Sequence, residues 1–257
     1  MQIIMSPAKT QQFNGRVYRE YSMPLLMHKT QFIIDLLKTM SEQELARLMK
    51  TSDKLTQSTH RRIHKFAKKL TLQNGGQALF TFQGDMYAAL AAEHFSPEDL
   101  QFAQKHLFIV SGLYGILRPL DLIQPYRLEM STPLTLAGAE NLHHYWRDPV
   151  TDIIDRALVE ESDRTLVNLA SAEYARAVNH KKLHGRMVNI TFKEKHHGEY
   201  RTIPIHAKKA RGLMVRFMIT ERISEAEGLC DFNLDGYAFN KADSTAEEWI
   251  FFKEETA

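Results

Sequence analysis

Three short apolar runs in this chain end the same way. "QIIM" stops at Ser6, "LFIV" at Ser111 and "TLVNLA" at Ser171. Each is an aliphatic segment of strand length, followed by a serine and then a turn or helix. A fourth run, "ALFTF" at 78–82, leads into Gly84 and Asp85. Helical stretches lie between them. Aliphatic strands alternating with helices are the pattern of a buried, largely parallel sheet covered on its faces. Near the C-terminus the period drops to two. "RMVNITF" and "EYRTIPIHA" flank "KEKHHG" as a hairpin, and "DGYAFN" with "EWIFFK" suggests another antiparallel pair. The expected fold is α/β: one domain over residues 1–257, with a mixed sheet, helices on its faces and antiparallel C-terminal strands.

Such a sheet says where to look for a ligand, namely beyond the C-terminal ends of the strands. Ser6, Asp85, Ser111 and Ser171 are all expected on that rim, although each serine could equally cap the following helix. The intervening helices carry their own signals. Ser41 and Glu44 make a capping box in "SEQELARLMK". "SPEDLQFAQKH" places Ser96 as N-cap, Pro97 in the first turn and two acids at the positive end of the dipole.

Charge limits the partners. The chain has 33 Lys and Arg against 31 Asp and Glu, a net charge of +2. It is no polycation, so any anion site must be a local cluster. Cys230 is the only cysteine, which excludes an intrachain disulfide and a cysteine zinc site. The start "MQIIMSPAKT" has no basic segment, and no apolar run approaches the ~20 residues of a membrane span. A cytoplasmic, monomeric protein without membrane contact is expected.

Three clusters stand out. In "STHRRIHKFAKKL" (58–70), Ile63, Phe66, Ala67 and Leu70 share one helical face. His60, Arg61, Arg62, Lys65, Lys68 and Lys69 crowd the other, with no acid among them. That surface would attract phosphates, or is a solvated basic face. In "HAKKARGLMVRFMIT" (206–220), Ala210, Leu213, Met214 and Phe217 form the apolar face. Lys208, Gly212 and Arg216 fall opposite, flanked by Lys209 and Arg211. A glycine there costs ~1 kcal/mol against alanine, so it suggests close approach of something such as a phosphate. The third cluster is "SGLYGILRPLDLIQPYRLEM" (111–130). Arg118 and Arg127 could each grip a carboxylate or phosphate through paired hydrogen bonds. Asp121 and Glu129 could instead hold those arginines inside a structural loop, or act on a substrate themselves. "SPAKT" adds Ser6 and Lys9 at a spacing that could form an activated pair. His60 and His64 stand four apart, a spacing that could bind metal, but the Arg and Lys around them would repel a cation. No glycine-rich cofactor loop is present, so neither metal nor cofactor is expected.

Read in order, "IIMSPAKT", "FQGDMYAAL", "SGLYGILRPLDLIQPYRLEM", "VNLASAEY", "AKKARGLMVRFMI" and "FNLDGYAF" resemble the YaaA family of bacterial peroxide-stress proteins along essentially the whole chain. The resemblance implies protection from hydrogen peroxide by limiting iron-dependent oxidative damage. It also implies DNA binding on one α/β domain with a basic cleft and a helix–hairpin–helix element, and no established reaction. The polar signatures of the family fall here on Ser6, Lys9, Thr10, Asp53, Lys54, Asp85, Tyr87, Ser111, Tyr114, Arg118, Asp121, Tyr126, Arg127, Lys208, Lys209, Arg211 and Gly212. Helices 41–50 and 58–70, joined by "TSDKL", are the candidate helix–hairpin–helix. That link lacks the glycines that normally let backbone N–H groups meet a phosphate. Duplex DNA, bound with little sequence preference, is the expected partner. The alternative is an enzyme acting on a nucleotide or nucleic-acid base in the same cleft, with Lys9, Asp85 or Asp121 as catalytic candidates and Arg118 stabilising developing charge.

Overall fold

The computed structural model of the protein describes residues 1–13 and 18–254. Its spine is an eight-stranded sheet: β1 (Gln2–Met5), β2 (Leu107–Ser111), β3 (Gly115–Leu117), β4 (Thr165–Leu169), β5 (Arg186–His196), β6 (Glu199–Arg201), β7 (Tyr237–Phe239) and β8 (Glu248–Lys253). The order is β7-β8-β5-β4-β1-β2-β3, with β6 also paired to β5. The five strands from β8 to β2 run parallel, and β3, β6 and β7 pair antiparallel. β1, β2 and β4 are buried along their whole length, as their unbroken aliphatic runs require. The register pairs Met5 with both Ile109 and Leu169, so the strand ends at Ser6, Ser111 and Ser171 lie at one edge of the sheet.

Among the described residues, the α-helices longer than one turn are α1 (Met27–Lys38), α2 (Glu42–Met49), α3 (Asp53–Lys65), α4 (Asp85–Leu90), α5 (Pro97–His106), α6 (Leu142–Val159) and α7 (Pro204–Thr220). The capping boxes at Ser41–Glu44 and Ser96–Asp99 both form. No helix among the described residues is long and apolar enough to cross a membrane.

Local expectations are corrected at three places. "ALFTF" is not a strand: Ala78–Thr81 makes one helical turn, and only Phe82–Gln83 is extended. The amides of Ala78 and Leu79 donate to the carbonyls of Asp121 and Pro119, so tertiary bonds displace a sheet ladder there. "EYRTIPIHA" stops as a strand at Arg201, because Pro204 lacks an N–H and opens α7 at its first turn. The basic helix is shifted towards the N-terminus. It runs 53–65 rather than 58–70 and ends where Phe66 turns extended. Lys68 and Lys69 therefore lie beyond it, and its link to α2 is only residues 50–52. α2 and α3 pack on one another.

The 111–130 segment is an internal strut. Gly115 takes φ +71, and a Cβ there would fall 2.5 Å from the Trp146 ring. Further on, the Gln124 amide brackets the peptide of Ala67, donating to its carbonyl at 2.8 Å and accepting from its N–H at 2.9 Å. The segment thereby fixes the exit of the basic helix.

Candidate functional site

The serines at the strand ends knit together. The Ser171 amide donates to Ser6 Oγ at 2.9 Å, and the Tyr87 hydroxyl donates to the Ser6 carbonyl at 2.9 Å. Gly84, at φ +127, turns the chain into α4 and leaves Asp85 exposed in its first turn. α7 crosses α4 closely, and the space left between the strand ends and these two helices is a cavity of about 330 Å³. Ser6, Lys9, Asp85, Tyr174, Lys208 and Arg211 are among the residues around it. Burial pushes the Tyr87 and Tyr174 phenols well above their ordinary range, so both stay neutral donors.

Of the sequence-predicted site residues, Ser6, Lys9, Thr10, Asp85, Tyr87, Ser171, Lys208 and Arg211 reach this cavity. The others do not. Ser111 and Tyr114 are completely buried: Ser111 Oγ bonds the Tyr126 hydroxyl at 2.8 Å and accepts from the amides of Leu113 and Tyr114. They shape the strut and have no surface to offer a phosphate. Arg118 binds Asp121 at 3.0 Å and the Met23 carbonyl at 3.0 Å. Arg127 and Lys9 both bind Glu129, each at 2.8 Å. Lys9 is thus held by a carboxylate, and the Ser6–Lys9 activated pair does not form. Lys209 pairs with Asp235 at 3.2 Å, beside a separate hollow. Gly212 is buried, and what approaches it is the Met86 carbonyl of α4, 2.0 Å from where a Cβ would sit. Close helix packing, not a phosphate, explains that glycine.

Asp121 is removed as a candidate base. It is fully buried and accepts from Ser22 Oγ, the Arg118 amide and Arg118 Nη2. Burial pushes its carboxyl above the usual range, against the opposing pull of Arg118 and Ser22. The folded state then holds this proton to higher pH than the unfolded chain does. The stability added by binding this proton is full below the ordinary carboxyl value of ~3.9 and is lost as pH rises through the folded value, while the hydrogen bonds to Ser22 and Arg118 remain. Asp121→Asn is expected to remove that dependence, so the urea midpoint of the variant should gain on that of the parent as pH rises from about 3.9.

The basic helix is a second, separate surface. Thr56, Thr59 and Ile63 of α3 face the core. Lys54, Arg61 and Lys65 are exposed and Arg62 is half-buried. None of these four makes an ion pair with the described residues, and none lines the cavity. Asp53 lies in the first turn of α3, where it complements the helix dipole.

Residues 1–243 match the model of a family described as peroxide stress protein YaaA. The chain belongs to this family. A UPF0246 protein of Acaryochloris marina is 45% identical over 251 residues, covering 98% of this chain and 99% of that protein. A UPF0246 protein of Shewanella denitrificans is 43% identical over 256 residues, covering 99% of each. For a YaaA-family chain, sequence reasoning passed over the second cationic wall. Arg147, Arg176, His180 and Arg186 surround a larger cavity of about 760 Å³, which Arg211 also lines. They come from three separate parts of the chain, so no linear cluster signals them. Glu173 and Tyr174 lie two and three residues beyond Ser171, and the end of β4 was the available signal for both.

Proposed function

We propose that this chain is a cytoplasmic, monomeric DNA-binding protein of the peroxide stress response, limiting iron-dependent oxidative damage. Membership of the peroxide-stress family supports the response, and the unpaired cations of α3 carry the binding. Lys54, Arg61, Arg62 and Lys65 sit on one short helix of a chain whose net charge is only +2. Charges meant for a solvated face are ordinarily interleaved with acids, and these have no carboxylate partner among the described residues. Phosphate contacts from such a face orient the protein on a duplex without reading its bases. Two unrelated 20-base-pair duplexes are therefore expected to bind with similar affinity at ~50 mM salt, a regime in which phosphate contacts dominate. Absence of binding to both duplexes would sink the proposal.

Chemistry on a nucleotide or base is the alternative, and Asp85 favours it. This carboxylate opens on the cavity opposite Lys208 and Arg211 and has no partner among the described residues. Asp85→Asn separates the two. Loss of peroxide protection with unchanged duplex affinity supports catalysis, whereas full protection in the variant argues for binding alone.

A further inference from the structure

Arg211 is a charge without a counter-charge. Its Nε is sealed from solvent and has no hydrogen-bond partner, and no carboxylate pairs with its guanidinium among the described residues. Burial alone pushes this group below its ordinary value. A guanidinium nonetheless stays protonated in proteins, and half-buried Arg211 carries its charge with no carboxylate beside it. A half-buried guanidinium so placed is free to grip a phosphate through paired hydrogen bonds. The two carboxylates of the first cavity do not change this: Glu173 accepts from the Ser131 amide at 2.9 Å, and neither it nor Asp85 bonds Arg211.

The position of Arg211 adds a second observation. It lines both cavities, and on either side of it stand further cations without ion pairs among the described residues: Lys208 in the first, Arg147 and Arg176 in the second. The first cavity also offers aromatic and apolar surface from Tyr87, Tyr174, Met86 and Pro7, with the Ser6 and Ser171 hydroxyls beside it. Its volume of about 330 Å³ lies in the small-molecule range. A flat apolar group fits that wall, a phosphate fits Arg211, and the second cavity leaves room for a continuing anionic chain.

We infer that the first cavity holds one nucleotide unit, its nucleoside against Tyr174 and its phosphate on Arg211. Asp85 is placed to accept from an amino or hydroxyl group of that nucleoside. The nucleotide is either free or carried by a bound strand and turned into the cavity. In its strand-borne form the inference rests on duplex binding by α3; in its free form it does not.

The test uses the full chain, with dAMP, dTMP and inorganic phosphate as calorimetric probes. A second arm uses a duplex bearing one unpaired 2-aminopurine, whose fluorescence rises when it leaves the stack. Binding of a mononucleotide, or a fluorescence rise on complex formation, is expected. Arg211→Met should weaken the response roughly 10- to 100-fold, the range for losing a hydrogen bond to a charged group. This variant is expected to melt like the parent, since it removes a half-buried charge that no carboxylate pairs and keeps an apolar stem of similar length. Lys209→Ala, whose lysine pairs with Asp235 outside the cavity, should leave binding unchanged. A free-nucleotide signal assigns the free form, and a signal confined to the duplex assigns the strand-borne form. Three results overturn the inference: no response in either arm, equal affinity in Arg211→Met, or inorganic phosphate binding as tightly as the nucleotides. Retained duplex affinity in the absence of any nucleotide response would overturn this inference alone and leave DNA binding by α3 standing.

Discussion

Asp121→Ala is expected to cost about 3–5 kcal/mol of stability, the range for breaking a buried ion pair by removing one partner. At 2–4 °C per kcal/mol this is a fall of roughly 6–20 °C in melting temperature. The carboxylate ties its own loop to the distant segment at Ser22, and the backbone of the same residue holds a third segment at Ala78. Its oxygens accept from Ser22 Oγ at 2.6 Å, from the Arg118 amide at 2.8 Å and from Arg118 Nη2 at 3.0 Å. The amide of Ala78 donates to its backbone carbonyl at 2.9 Å. Without the carboxylate, Arg118 keeps a buried and unpartnered Nε and loses the charge that offsets its own. The double variant Asp121→Leu with Arg118→Met should recover part of the loss, because an apolar pair replaces a buried ionic one. Urea midpoints of the single and double variants measure both effects. A single variant as stable as the parent would show that the pair contributes nothing to the strut.

Gly212→Ala has the other large effect, and here helix propensity and packing disagree in sign. Glycine inside a helix is worse than alanine by ~1 kcal/mol, so propensity alone expects a gain. The added Cβ would meet the Met86 carbonyl at 2.0 Å and the carbonyl carbon at 2.9 Å. Both are backbone atoms of α4 and cannot rotate away as a side chain would. α7 and α4 must separate, and overpacking of this kind costs about 1–3 kcal/mol. A net loss is expected, in the midpoint of thermal unfolding, and it should exceed that of Gly198→Ala. Gly198 lies in an open turn at φ +84, where strain acts without a clash. A stabilised Gly212→Ala would contradict the close crossing that closes the cavity.

The sheet was legible because its strands carry their burial on both faces. "QIIM", "LFIV" and "TLVNL" have no polar side to confuse them with a helix, and the serines after them mark one edge. Capping boxes were equally plain, since they depend on residues three apart. "ALFTF" was not legible, because its amides are claimed by Asp121 and Pro119, some forty residues on in sequence. The same limit governs the site. The pairing of Arg118 with Asp121 and of Arg127 with Glu129 was open in sequence, as a loop closed by its own carboxylates. Lys9, however, looks like a free cation there, and only folding brings Glu129 against it. Gly212 signalled a close approach correctly, but the identity of the approaching group belongs to tertiary structure. Two surfaces therefore replace the single cleft: a basic helix held by Gln124, and a cavity whose charged wall is Arg211.

The most direct test of DNA binding through α3 is the salt dependence of duplex affinity for the parent and for a variant carrying Arg61→Ala, Arg62→Ala and Lys65→Ala. Each phosphate contact adds about −0.9 to the slope of log K against log salt. The triple variant, melting like the parent, is expected to bind more weakly at every salt concentration and to show a slope shallower by about 3. Identical affinities and slopes for the two proteins would contradict the assignment of α3 as the DNA-binding surface.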